Sequence, residues 1–489
     1  MEYKINLKKQ IDGGFEVAVY LFCGYTGNIT IKDEDRDLYM DDKKLGTEKL
    51  SKLMRQMALP SIVAQVINIL YSIIDRIYIG HIPGAGASAL TGVGLTLPII
   101  TFVAAFSRIV GAGGAPLAAI ALGRGDHEEA ENNMGVGTFL LLMFTVGIMV
   151  VFYIFKRPLL YMFGASDATF PYADIYISIY LIGTIFVQLY MGLNPYIIAE
   201  GNSMTAMLSV GIGVVLNMIL DPLLIFVFKW GVVGAAIATV ISQAVSAIWV
   251  VTFLAGKKSA MRLTLKKIRY KSSLAKPMLA LGVSPFVMTS TESLISIVMN
   301  HQFAVYGGDS YVGAFTILQS IMQMINVPIQ GFTQGVQPII SFNYGANNYG
   351  RVRKTYRVMI GMCFLYGVII TGGSILFAGQ LASMFTTDAA LIALVKNSMR
   401  IFMFGMFLFG LQMGIQPTFV SLGQAKISLF IAVFRKIILL IPLALILPFF
   451  MGVNGVFFAE PISDIVSAVT ASALFLTRIN KILAPQTAG

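Results

Sequence analysis

One transmembrane pattern occurs twice in this chain, and the duplication limits what it can fold into more than any single residue does. Met191-Gly192-Leu193-Asn194-Pro195 is followed by Gly201-Asn202. Met413-Gly414-Ile415-Gln416-Pro417 is followed by Gly423-Gln424, 222 residues later. The halves stay in step on both sides. Met162-Phe163…Asp167 pairs with Met384-Phe385…Asp388, and Gly231-Val232…Gly234 with Gly452-Val453…Gly455. Leu122-Gly123-Arg124-Gly125 pairs with Tyr344-Gly345-Ala346-Asn347 in position rather than identity. A membrane protein of two similar halves has a natural cleft between them, which is the architecture of a secondary transporter, although duplication also builds channels and scaffolds.

That this is a membrane protein follows from composition. Charged residues make up 12% of the chain, hydrophobic residues 56%, and the mean hydropathy is +0.78. The charged share is about half the ~25% of a soluble protein. Apolar runs reach the roughly 20 residues a helix needs to cross a bilayer. The expected spans are 53–80, 88–121, 132–155, 171–199, 203–228, 232–255, 275–305, 311–342, 355–378, 390–420, 425–450 and 453–478. Backbone polar groups in lipid need internal partners, so these are helices or barrel strands, and their lengths exclude strands. The chain is therefore expected to be an all-α integral membrane protein of about twelve helices. The only cysteines are Cys23 and Cys363, so neither a Cys-x-x-Cys motif nor a disulfide framework is present.

The net charge of +11 does not indicate nucleic acid as a partner, because the cations sit in particular loops. Residues 256–274 carry Lys257, Lys258, Arg262, Lys266, Lys267, Arg269 and Lys271 with no acid; 343–357 carry Arg351, Arg353, Lys354 and Arg357. Lys43, Lys44, Lys49, Lys52 and Arg55 precede or open the first span, and Arg478 and Lys481 close the last. The alternate connections near 81–88, 306–310 and 450–454 have almost no positive charge. Basic loops stay cytoplasmic, so both termini are expected inside a plasma membrane crossed an even number of times. The expected division is an extension over 1–44, a first half over 45–255, a basic cytoplasmic linker over 256–274 that sets topology, a second half over 275–482 and a tail over 483–489. Phe15 to Tyr25 is apolar but too short to span, and Met40-Asp41-Asp42-Lys43 reads as a cytoplasmic start. Residues 1–39 are either a disordered extension or the product of a start assigned too early.

Polar residues inside the spans carry the function. An ionised side chain at the bilayer centre costs roughly 2.5–3.5 kcal/mol on insertion scales, so it needs a reason to be there. Gln65, Asn68, Ser72 and Asp75 form one face of the first span, which should look into the bundle. Arg76 points elsewhere; a structural Asp–Arg pair is the alternative for Asp75. Asn217 and Asp221 share a face of the fifth span, Pro222 follows and frees a backbone carbonyl one turn back, and the sixth span supplies Thr239. Two carboxylates, an amide and a hydroxyl suit Na⁺, or protons on the carboxylates. The seventh span carries Thr289, Glu292, Ser296 and Asn300 at helical spacing. The eighth carries Gln319, Gln323, Asn326, Gln330, Gln334 and Gln337. Such an amide stripe lines a wet cleft or bonds other helices. Substrate contacts are expected from Gln65, Asn68, Ser72, Met288, Glu292, Ser296, Gln319, Gln323 and Asn326.

Four segments in order resemble one family. Tyr71-Ser72-Ile73-Ile74-Asp75-Arg76-Ile77-Tyr78-Ile79-Gly80 resembles the first-helix signature of the multidrug and toxic compound extrusion (MATE) family. Gly113-Gly114-Ala115-Pro116 to Leu122-Gly123-Arg124-Gly125-Asp126 looks like its second-helix end. Asn217-Met218-Ile219-Leu220-Asp221-Pro222 is similar to its fifth-helix motif, and Gln334-Gly335-Val336-Gln337-Pro338 to Asn343-Tyr344-Gly345-Ala346 to its eighth-helix end. The likeness runs from about Leu45 to about Ile482 and is nearest the bacterial MepA-like branch.

The resemblance implies two pseudo-symmetric six-helix lobes, opening alternately to each side and functional as a monomer. It implies antiport of small amphipathic or cationic drugs against H⁺ or Na⁺, with no other cofactor. The family's N-lobe cation site carries over to Asp75, Asn217, Asp221 and Thr239, with Pro222 as hinge. Glu292 lies near a seventh-helix carboxylate that some members use. Their tenth-helix carboxylate has no clear match, and Arg435 and Lys436 stand in the eleventh span, so cation coupling is expected in the N-lobe. The alternative function is a flippase for lipid-linked glycans or cell-wall precursors, whose clefts need many basic residues. An enzyme is not expected: Tyr306-Gly307-Gly308-Asp309 lacks the Gly-x-Gly-Asp spacing, no His-Glu-x-x-His occurs, and His81, His127 and His301 are scattered.

Overall fold

The computed structural model describes residues 43–83 and 86–484. The proposed start at Met40 and the 1–39 extension lie outside them. The spans are α1 (Leu50–Gly80), α2 (Gly86–Gly123), α3 (His127–Met162), α4 (Phe170–Ile182 and Thr184–Ala199), α5 (Ser203–Val227) and α6 (Gly231–Ala255). The second half repeats them as α7 (Ser272–Gly307), α8 (Asp309–Gly345), α9 (Tyr349–Leu376), α10 (Ala389–Phe402 and Met406–Ser421), α11 (Ala425–Met451) and α12 (Val453–Ile482). No strand occurs among the described residues.

Two spans expected to be single helices are bent, α4 by 57° and α10 by 55°. Both bends fall at glycines 222 residues apart, and each glycine lies against the sixth helix of its own lobe. A β-carbon on Gly183 would sit 2.5 Å from Val240, and one on Gly405 2.5 Å from the Cα of Pro461. The bend lets backbone approach helix where a side chain would keep the two apart.

Other repeated residues are explained the same way. Gly201 and Gly423 end α4 and α10 with φ of +94° and +71°, a left-handed turn that glycine adopts without steric cost. Asp126 and Asn348, again 222 apart, cap α3 and α9 by accepting from Glu129 N (2.8 Å) and Arg351 N (3.3 Å). The α4 motif residue Asn194 donates to Ser209 Oγ of α5 at 2.9 Å, and its counterpart Gln416 donates to Ser284 Oγ of α7 at 3.3 Å.

The lobes meet through α2 against α7 and α1 against α8, at the end of the bundle that carries the basic loops. Contact there is backbone to backbone. A β-carbon on Gly282 of α7 would lie 2.1 Å from the carbonyl oxygen of Ile109 on α2, and one on Gly345 of α8 2.0 Å from that of Ile120. Gln65 Nε2 of α1 donates to Gln334 Oε1 of α8 at 2.9 Å, and this is the far limit of that seal on α1. One and two turns further along α1, Asn68 and Ser72 are exposed, as are Gln323 and Met324 on the antiparallel α8.

The basic linker is docked rather than loose. Met261 and Leu263 are buried, and Lys267 pairs with Glu131 near the start of α3. Glu200, in the turn between α4 and α5, accepts from Ser259 Oγ (2.8 Å), Ala260 N (2.9 Å), Met261 N (3.3 Å) and Asn202 Nδ2 (2.9 Å).

Candidate functional site

The four residues of the expected N-lobe site meet. Asp75 on α1 and Asp221 on α5 face each other at hydrogen-bonding range, and both are buried. Asn217, one turn before Asp221 on the same face, donates through Nδ2 to Asp221 Oδ2 at 2.7 Å and accepts through Oδ1 from Thr239 N of α6 at 3.3 Å. Asp75 Oδ1 and the Thr239 hydroxyl are buried without a hydrogen-bond partner. Buried polar atoms are rarely left so, and these two sit among hard oxygen donors. The set fits a proton shared between carboxylates or a small monovalent cation. Arg76, the residue after Asp75, is exposed.

Local folding explains the convergence. Directly after Pro222, α5 widens into a π-helical turn over Leu223–Val227. Proline supplies no N–H to the ladder, and π-turns are common at functional sites. The turn keeps α5 against α6, where Gly234 packs on the Leu224 backbone. A separate apolar pocket of about 490 Å³ is lined by Pro98 and Phe102 of α2 and Phe152, Phe155 and Met162 of α3, with Ser290 from α7 at its edge.

The expected substrate residues divide into two groups. Asn68, Ser72, Glu292 and Gln323 are exposed, and Asn326 is half-buried. The others bond between helices: Gln65 to Gln334 across the lobes, and Gln319 Nε2 to Ser296 Oγ at 2.7 Å within the second. The sulfur of Met288 accepts from Gln416 at 3.0 Å, so this side chain is partly committed to packing within its lobe.

The second lobe holds a cluster that sequence reasoning missed. Glu460 and Asp464 of α12 are buried with Arg435 and Lys436 of α11. Arg435 Nε donates to Asp464 at 2.7 Å and its Nη2 to Glu460 at 3.0 Å, while its Cζ lies 4.1 Å from the Phe409 ring centre. Lys436 pairs with Glu292 of α7 and donates to the Met288 carbonyl at 3.2 Å. The repeat contained the signal. Gly231 aligns with Gly452, which sets Thr239 against Glu460 and Gln243 against Asp464. Arg108 of α2 was also missed; it reaches the interlobe space within electrostatic range of Glu292.

A duplicated six-helix unit, sealed at one end and carrying buried carboxylates in each half, defines a two-lobed membrane transporter. The chain belongs to the MATE family: the MatE family model matches residues 60–223 and 285–446. It is 25% identical over 433 residues to the multidrug export protein MepA of Staphylococcus haemolyticus, covering 88% of this chain and 94% of that one. MepA of Staphylococcus aureus is 23% identical over 438 residues, covering 90% and 95%. Solved structures agree on the fold. A MATE protein in a bent conformation superposes with a TM-score of 0.85 at 24% identity, over 91% of this chain and 98% of that one. An outward-facing multidrug resistance MATE family transporter gives 0.83 at 24% identity, over 91% and 99%. A transporter of the MOP superfamily from Pyrococcus furiosus gives 0.84 at 24% identity, over 92% and 100%. Family membership makes the chain a multi-pass transporter and not an enzyme.

Proposed function

We propose that this protein exports small amphipathic, often cationic, drug-like compounds in exchange for H⁺ or Na⁺, with Asp75 and Asp221 as the coupling groups. The observation that carries the reading is the buried carboxylate pair, supported by Asn217 and beside the unpartnered Thr239 hydroxyl. Two facing carboxylates in low dielectric resist ionising together, so the site gains a proton or a cation readily and holds one charge at a time. Loading neutralises the pair and lets α1 and α5 pack more closely, with the π-turn after Pro222 as the place that adjusts. The drug and the ion then favour opposite orientations of the lobes, which is all that exchange requires. Asn68, Ser72, Glu292, Gln323 and Asn326 present polar groups to the substrate between the lobes.

With the basic loops inside, both termini and the 256–274 linker are cytoplasmic, and the end sealed by α2 and α7 faces the cytoplasm. The form described here then opens outward. A flippase for pyrophosphate-linked lipids is disfavoured because Arg435 is buried and held by two carboxylates, and Lys436 is 4% exposed behind Glu292.

The test uses proteoliposomes with an imposed Na⁺ or pH gradient. Asp221→Asn removes one carboxylate of the pair and leaves Asp75 without its acidic partner. It should insert, bind drug and lose gradient-driven uphill transport. If Asp221→Asn at wild-type abundance keeps the same ion dependence, the N-lobe pair is not the coupling site.

A further inference from the structure

We propose that Lys436 is a tethered cation on the cleft wall of the second lobe, and that a lipophilic monovalent cation binds at Glu292 by taking the place of its ammonium group. The inference rests on the exporter reading above and adds what its substrate must displace.

In the first lobe, the positions equivalent to Arg435 and Lys436 are Gly213 and Val214, which carry no charge. The positions equivalent to Glu460 and Asp464 are Thr239 and Gln243. One lobe thus has carboxylates and no cation of its own beside Asp221. The other has carboxylates and two cations built into the eleventh helix. Arg435 is fixed: its guanidinium is buried, bonded to both α12 carboxylates and stacked on Phe409. Lys436 is placed differently. Its side chain is 4% exposed, but the carboxylate it meets is 61% exposed. The ammonium therefore comes from inside the lobe, and Glu292 offers its other side to the interlobe space.

A cation entering that space meets Glu292 as its nearest accessible acid on α7, and finds it already neutralised from behind. Release of the Lys436 ammonium is cheap, because the Met288 carbonyl still accepts from it at 3.2 Å and the carboxylates of Glu460 and Asp464 lie within its electrostatic range. Arg108 faces Glu292 from the opposite lobe, so the space around this acid already contains competing positive charge. A lysine on a flexible stem suits exchange where an arginine fork does not, since its charge is a point that slides between acceptors. Cation binding is thus weaker than an unpaired Glu292 would make it, which favours release on the far side of the membrane.

Two probes of similar shape separate charge from shape: tetraphenylphosphonium, a monocation, and triphenylphosphine oxide, which is neutral. Equilibrium binding is measured on the purified full-length protein. Lys436→Gln should bind tetraphenylphosphonium about fivefold more tightly, the upper end for an ion pair with one exposed partner, and leave the neutral probe unchanged. Unchanged or weaker cation binding, or equal tightening for both probes, would overturn the proposal. Glu292→Gln tests the underlying reading by itself: it should weaken cation binding and spare the neutral probe, and no effect there removes Glu292 from the substrate site. Should Lys436→Gln not fold, Lys436→Gln with Glu292→Gln replaces it. That pair should bind the cation more tightly than Glu292→Gln alone, because the orphaned ammonium is gone. No recovery would overturn the proposal.

Discussion

Gly282→Ala should push the protein out of the form described here. A β-carbon at this position would lie 2.1 Å from the carbonyl oxygen of Ile109, 2.6 Å from its Cα and 2.7 Å from its carbonyl carbon. All three are backbone atoms of α2, so no rotamer change relieves the clash. Ordinary contact starts near 3.4 Å, so α2 and α7 must part by about 1.3 Å at the crossing. Overpacking of this kind costs about 1–3 kcal/mol. If the lobes alternate as proposed, the basic-loop ends part in the other orientation and the added methyl meets no such backbone. The whole penalty then falls on one state and shifts the equilibrium by roughly 5- to 150-fold toward it. The assay is an inter-lobe distance between spin labels on Arg124→Cys and Lys354→Cys, both exposed at this end, with Cys23 and Cys363 replaced. The expected result is a longer-distance population that wild type lacks. Gly94→Ala, on the facing helix α2 and with nothing within 4 Å, is the control and should leave the distances alone. An unchanged distribution in well-folded Gly282→Ala would refute the reasoning.

Two further outcomes concern the buried charges. Burial pushes the Glu200 carboxyl up to about 7 from an ordinary 4.5, against the pull of its four hydrogen bonds. A raised carboxyl pKa means that the folded state holds the proton more tightly, so this stability is full below about pH 4.5 and is lost as pH rises through about 7, by up to roughly 3 kcal/mol. Glu200→Gln has no proton to lose. The melting temperature of wild type should fall relative to the variant across that window, and parallel profiles would count against the burial argument. Arg435→Met leaves Glu460 and Asp464 buried without their cation and should destabilise by about 3–5 kcal/mol. Adding Glu460→Gln and Asp464→Asn should restore monodisperse protein in size-exclusion chromatography; a single variant as stable as wild type would show that the network contributes nothing.

The spans and their two-fold arrangement were legible because hydropathy and glycine spacing are local signals. Asp75, Asn217 and Asp221 were legible as helix faces, and the structure adds that the faces meet at Thr239. The bends at Gly183 and Gly405 were not legible, since each depends on what the glycine packs against, Val240 in one lobe and Pro461 in the other. Glu460 and Asp464 were overlooked for a related reason. Read along α12 alone they are two acids one turn apart; only the register carried over from α6 makes them counterparts of Thr239 and Gln243. Glu131 and Glu200 fall between the expected spans and carried no signal of their own, yet both tie down the linker.

The unequal supply of counter-ions in the two lobes bears on energetics. If only the N-lobe pair exchanges an ion with bulk solution, one turnover trades one monovalent ion for one drug molecule. For a monovalent cationic drug the trade moves no net charge. The membrane potential, worth about 2.3 kcal/mol per charge per 100 mV, then does no work, and a tenfold ion gradient sustains at most a tenfold drug gradient. For a neutral drug the same turnover carries one charge inward, and the potential adds its full share. Cationic and neutral compounds would leave by one route under different driving forces, and the neutral ones would be cleared further in a strongly polarised cell.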